Sequence, residues 1–249
     1  MVRSRTSPLL LVLPFCTAYL RVPTVGIHDR PMIVHKQIII FASEQRENLK
    51  SLLSTVPNRG LDEYEEWKPP PAYVTDMEEA VEALLPLDPS RGDWMIDDNF
   101  EGSWRLAYTS SLMFRSNEGL SGYGYYVDGV STPELIMRIG STKLTFEEPL
   151  DEESAGALAT YLRLLEPPDA VRVHCSWQAG GDDSLKCTFE QIEVGSKAWK
   201  PANAAEQGEV DFGQDKAIRV MGNTKPVYLD DQVLVLRALT DAFFVLLKT

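Results

Sequence analysis

Two spacings of apolar residues divide this chain. Between Glu44 and Val56, Leu49, Leu52, Leu53 and Val56 recur at i, i+3, i+4 and i+7, one apolar helix face that Pro57 and Gly60 end. A Pro-rich loop through Lys68-Pro69-Pro70-Pro71 follows. Thr75-Asp76-Met77-Glu78 then has the form of a capping box. Behind it, Met77, Val81, Leu84 and Leu85 make a second stripe that stops at Pro86 and Pro89. From Glu101 the period falls to two. Trp104, Leu106 and Tyr108 share one face, and Arg105, Ala107 and Thr109 the other.

Similar patterns predict strands over 123–130, 134–139, 143–147, 158–165, 171–178, 185–194, 217–221, 228–237 and 243–247. Turn signals stand between them at Ser116-Asn117-Glu118-Gly119, Pro167-Pro168-Asp169 and Gly180-Gly181-Asp182-Asp183. Many strands with short links and no helices between them predict a mainly β protein, an antiparallel sheet or barrel preceded by two short helices. Closing the sheet removes unpaired edges and encloses room for one small ligand. A filled, ligandless sandwich is the alternative. The polar stretch 199–214 reads as a surface insertion.

Charge narrows the partners. The 249 residues hold 24 Lys and Arg against 37 Asp and Glu, a net charge of -13. Such a surface repels phosphate, which argues against nucleic acid. Hydrophobic residues at 44% suffice for a core. No apolar run approaches the roughly 20 residues of a membrane-spanning helix.

The first forty residues read as an address. Arg3 and Arg5 precede the apolar run Leu9–Phe15, and Cys16-Thr17-Ala18 offers a cleavage site after Ala18. The next stretch, 19–41, is basic. Residues 1–41 hold five basic residues and one acidic one, leaving 19 and 36 beyond them, a net of -17. A secretory-like segment followed by Tyr19 and a basic stretch is similar to the two-part plastid presequences of algae with secondary plastids. Simple secretion is the competing expectation, weakened by three Cys and the lack of an Asn-x-Ser/Thr sequon.

Catalytic chemistry is sparse. Of three His, His28 and His35 fall in the presequence, and His174 alternates with Val173 and Cys175 as a solvated strand residue. That leaves no metal cluster, no nucleophile with its base and no phosphate-binding Gly loop, so no catalytic residue and no cofactor are implied. Asp230 and Asp231 read as turn or rim carboxylates. A turn centred on Gly181 would set Cys175 opposite Cys187, at about 4.5 to 5.5 Å between Cβ atoms. The pair is either redox-sensitive or two buried free thiols.

Three motifs carry a resemblance. Residues 99–111, Asn-Phe-Glu-Gly-Ser-Trp-Arg-Leu-Ala-Tyr-Thr-Ser-Ser, resemble the opening signature of the plastid lipid-associated protein (fibrillin) family. Tyr228-Leu229-Asp230-Asp231, Arg237 and Phe244-Val245-Leu246 are similar to its closing pattern, and Arg59-Gly60-Leu61 to a motif between its leading helices. The likeness spans about residues 44–248. It departs at Leu234, where the family has a charge, and at Ala238 and Asp241 or Ala242, where it has Gly. A different final turn is therefore expected.

The resemblance implies a lipocalin-like barrel at thylakoids or plastid lipid droplets, with a prenylquinone, carotenoid or acyl lipid as cargo. Leu106, Tyr108, Tyr228 and Phe244 are then the expected lining residues. Gly102-x-Trp104 with Arg237 is similar to the lipocalin arrangement in which Trp packs under Arg where the barrel closes. The rival expectations are a ligandless coat protein of lipid droplets and a lipid-modifying enzyme. At -17, contact with a membrane or droplet surface would rest on apolar loops or a protein partner.

Overall fold

A computed structural model describes residues 31–61, 70–90, 93–132, 134–181, 183–200 and 220–249. The signal-like segment 1–18, and most of the stretches 199–214 and 217–221, lie outside the described residues. In chain order the elements are α1 (Pro31–Leu53), α2 (Ala72–Leu84), β1 (Gly102–Thr109), α3 (Leu112–Ser116), α4 (Tyr123–Tyr126), β2 (Ile136–Ile139) and β3 (Lys143–Pro149). Then follow α5 (Glu152–Leu162), β4 (Ala170–Ala179), β5 (Leu185–Val194), β6 (Lys197–Trp199), β7 (Asn223–Leu229), β8 (Val233–Ala238) and β9 (Phe243–Lys248).

The protein is mainly β. Nine strands form one antiparallel sheet in the order β4-β3-β2-β1-β9-β8-β7-β5-β6, and a further β4–β5 pairing joins it into a ring. The strength of the joints differs widely. β4 and β5 pair over nine positions, whereas β5 and β7 share Leu185↔Thr224 and Lys186↔Asn223. Farther along β5, Ile192 to Val194 pair with β6 instead.

Four expected elements take another form. Residues 158–165, expected as a strand, belong largely to α5. Asp151 caps it by accepting from Ser154 N at 2.8 Å, and Ser154, Ala155, Leu158 and Leu162 form its buried face. Residues 123–130 hold α4 rather than a strand, framed by Gly122 and Gly129 at φ of 73° and 82°. The expected strand 228–237 is a hairpin. Asp230 Oδ1 accepts from Gln232 N and Val233 N, both at 2.7 Å, and turns the chain there. Helix α2 begins at Ala72, so Thr75-Asp76-Met77-Glu78 lies within it and caps nothing. Pro71, extended at φ -52° and ψ 146°, sets the boundary. Helix α1 starts at Pro31, ahead of the boundary expected at 41/42.

Two apolar layers result. The first fills the ring's interior with Trp94, Phe100, Trp104, Leu106, Phe114 and Phe244 among others, each no more than 1% exposed. The second lies between the helices and the outer face of β1, β7, β8 and β9. Leu49, Met77, Val81 and Leu84 there meet Tyr108, Tyr228, Val235 and Val245. The outer face of β2 to β5 instead carries ion pairs, Arg138–Glu147 at 3.3 Å and Arg172–Glu147 at 3.2 Å, and His174 Nε2 lies 3.3 Å from Glu193 Oε2.

The ring has two unlike ends. At one, β1 starts and β9 finishes, beside Phe100 and the turn 230–232. At the other lie α3, α4, α5 and the turn 239–242.

Candidate functional site

The expected meeting of Trp104 and Arg237 does not occur. Trp104 pairs with Lys248 near the start of β1, while Arg237 pairs with Phe243 at the far end of the β8–β9 hairpin. Antiparallel pairing forces this separation, because β8 ends where β9 begins. Arg237 reaches outward to Glu82 of α2, and its guanidinium lies 4.7 Å from the Phe243 ring centroid. The cation over Trp104 is Lys248, with Nζ 4.4 Å from the ring centroid. That ammonium also donates to Asn99 O and Glu101 O, each at 2.6 Å. Its burial, with partial compensation from Asp97, lowers its pKa below the usual lysine value. Gly102 makes room for it: at φ 127°, an added Cβ would stand 3.0 Å from Nζ.

The four expected lining residues divide between the layers. Leu106 and Phe244 face the interior, whereas Tyr108 and Tyr228 lie under the helices. Bulges cause the split. The register of β1 on β9 shifts between Leu106 and Tyr108, and that of β7 on β8 shifts between Pro226 and Tyr228. One extra residue moves every following side chain to the opposite face. No single ligand in the interior touches all four.

What Tyr108 and Tyr228 do is hold the helices. Gly60, at φ 79°, lies so close that an added Cβ would come within 2.8 Å of the Tyr108 ring and of Thr109 O. Tyr228 donates its hydroxyl to Asp230 Oδ2 at 2.7 Å, and Arg46 of α1 pairs with the same oxygen at 3.1 Å and with Asp231 at 3.2 Å. Burial, followed by Asp230, pushes the Tyr228 hydroxyl pKa far up. The motifs thus fasten the chain to the sheet at separate places: Gly60 against Tyr108 and Thr109, and Tyr228, Asp230 and Asp231 with Arg46 of α1, while Arg59 turns to Thr132 and Leu61 joins the interior layer.

A second polar knot sits among the connections of the α3–α4 end. Glu148, 2% exposed, accepts from Leu120 N at 2.6 Å and Ser121 N at 2.9 Å. Burial raises its carboxyl pKa, against the opposing pull of these donors and Arg59. Arg59 donates to Thr132 O at 2.5 Å, and its burial lowers its own pKa. This knot fastens backbone, which is structural work. Among the described residues no group of three or more His, Cys, Asp and Glu could hold a metal, and no helix is long and apolar enough to cross a membrane.

The cysteines lie two positions out of register. Cys175 pairs with Phe189 and Cys187 with Trp177, because the β4–β5 turn centres one residue later than Gly181. Both thiols are free, and burial raises both pKa values, that of Cys187 to about 12.

The space suited to a guest lies at the narrow joint between β5 and β7. A pocket of about 550 Å³ opens there, walled mainly by apolar side chains including Cys187, Phe189, Val220, Ala238 and Leu239. Cys187 and Phe189 point toward the interior layer yet stay half-buried, since β7 leaves β5 after two paired positions. None of the four expected lining residues borders it. The alternation of Cys187 and Phe189 with Lys186, Thr188 and Glu190 was a visible signal; the missing partner strand was not.

Fold and pocket define a class: a mainly β protein whose antiparallel strands form a ring, with a side pocket at its weakest joint. Compared with protein-family models, with characterised proteins and with solved structures, the chain matches none.

Proposed function

We propose that this chain is a non-enzymatic plastid lipid-associated protein of the fibrillin type. In this reading the ring is a lipocalin-like barrel, and it binds or carries a small hydrophobic molecule at thylakoids or plastid lipid droplets. The apolar pocket of about 550 Å³ beside Phe189 and Leu239 carries the reading, since its size and lining suit one lipid-soluble molecule. Binding comes from burying apolar surface, at about 25 cal/mol per Å². Lys186 and Asn223 at its border supply polar contacts for a head group. The resemblance of the three motifs to that family's pattern adds support.

The test is extraction of lipid from the purified protein, taken from its own plastid, followed by mass spectrometry. One prenylquinone, carotenoid or acyl lipid should co-purify, and Phe189→Glu should abolish its retention. A ligandless coat protein is the second reading, favoured by the aromatic side chains that fill the interior. An extract without bound lipid would select it.

A further inference from the structure

Among the described residues nine large apolar side chains are exposed, and five of them gather in three neighbouring connections, the others being Phe41, Met95, Tyr161 and Leu165. Leu112 and Met113 on α3, Tyr125 and Tyr126 on α4, and Leu239 in the β8–β9 turn are all exposed, Tyr125 by 63% and Leu239 by 77%. All five sit at the same end of the ring. Ser110, two residues before Leu112, donates its amide to Phe243 O, just after the turn that holds Leu239. Gly124 of α4 packs against Glu118, which closely follows α3. The opposite end exposes Met95.

We propose that this end is the face on which the protein docks to an uncharged lipid surface. Two observations choose that occupant. The exposed charged residues that flank these side chains in the chain are Glu118, Asp128 and Asp241, all acidic; the exposed cations at this end are Arg163 after α5 and Lys186 across the pocket from Leu239, so the face is acidic on balance, on a chain whose net charge is -13. An anionic bilayer would repel such a face, whereas neutral head groups accept it. Second, Leu239 belongs both to this face and to the wall of the pocket. Docking would set the pocket against the lipid, so that an apolar guest could cross without passing through water. Tyr rings with Leu and Met side chains suit the boundary between head groups and acyl chains. The inference rests on lipid-soluble cargo as proposed above, but the face itself is separately testable.

Vesicle flotation of the full chain tests it. The wild type should float with phosphatidylcholine vesicles, gain nothing from added phosphatidylglycerol, and stay bound in high salt. The triple variant Leu112→Ser, Met113→Ser, Tyr125→Ser leaves the pocket lining intact and should lower partitioning about tenfold or more. Met95→Ser should float as the wild type does. Matching thermal melts establish that both variants fold. Flotation of the triple variant at the wild-type level overturns the proposal. So does binding that needs phosphatidylglycerol and is lost in salt, and so does a wild type that pairs through this face without floating. Lipid extraction from the same samples separates the two proposals. Cargo without flotation sinks the docking face alone, and flotation without cargo sinks the carrier reading alone.

Discussion

At the scale of single residues, the positions of two cations settle how one end of the ring is stoppered. Lys248 covers Trp104 and satisfies two backbone carbonyls, whereas Arg237 makes a half-exposed pair with Glu82. Lys248→Met should therefore lower stability by roughly 1 to 2 kcal/mol. Arg237→Met should cost under about 1 kcal/mol. Urea titrations of the two variants rank them, and an equal or reversed ranking would refute the assignment. Glu148 gives a pH signature. Burial raises its folded pKa above the unfolded carboxylate value, so its stabilising contribution is complete below that unfolded value. The contribution is lost as pH rises through the raised folded value. Wild-type stability should therefore fall relative to Glu148→Gln over that interval. At low pH the variant should be weaker by about 1 to 3 kcal/mol, because its amide cannot accept from both Leu120 N and Ser121 N with the same atoms. Parallel difference curves for the two proteins would reject this account.

At the scale of elements, the helix pair depends on Asp230. Its carboxylate turns the β7–β8 hairpin and receives both the Tyr228 hydroxyl and Arg46 of α1. Asp230→Ala should cost roughly 3 kcal/mol and speed hydrogen exchange along α1 before the strands exchange. Simultaneous loosening of the strands would mean that α1 is held by other contacts. The stripe Leu49, Leu52, Leu53 and the strand periods were readable in the sequence because burial on one face leaves a 3.6 or 2.0 period. The bulges after Leu106 and Pro226 were not, since an extra residue between ladder pairs leaves no local signature beyond a broken alternation. That break sent Tyr108 and Tyr228 to the helix side. Asp241 shows a related limit. It holds φ 60° in the last turn, a left-handed conformation that Gly adopts with least strain, and Ala238 N donates to Ala242 O across it. The 158–165 stretch misled because its apolar residues fit either period, and the cap at Asp151 decided the matter.

For the whole molecule, the uneven joints of the ring dominate. β4 and β5 share nine paired positions, against two between β5 and β7. The amide of Cys187, which donates to Gly222 O at 2.8 Å across the weak joint, should exchange at least about tenfold faster than that of Val235. Equal rates would mean that the joint opens only with global unfolding. The raised thiol pKa values of Cys175 and Cys187 predict slow alkylation near neutral pH in the folded protein and rapid reaction once denaturant opens the sheet. Fast labelling before any loss of structure would contradict their burial.

A bracelet with one weak link breaks at that link. Warmed at high concentration, this chain should part between β5 and β7 first and become a ribbon with two raw borders, each able to stitch to another copy. The link that leaves space beside Phe189 thus also sets the temperature at which copies begin to knit together.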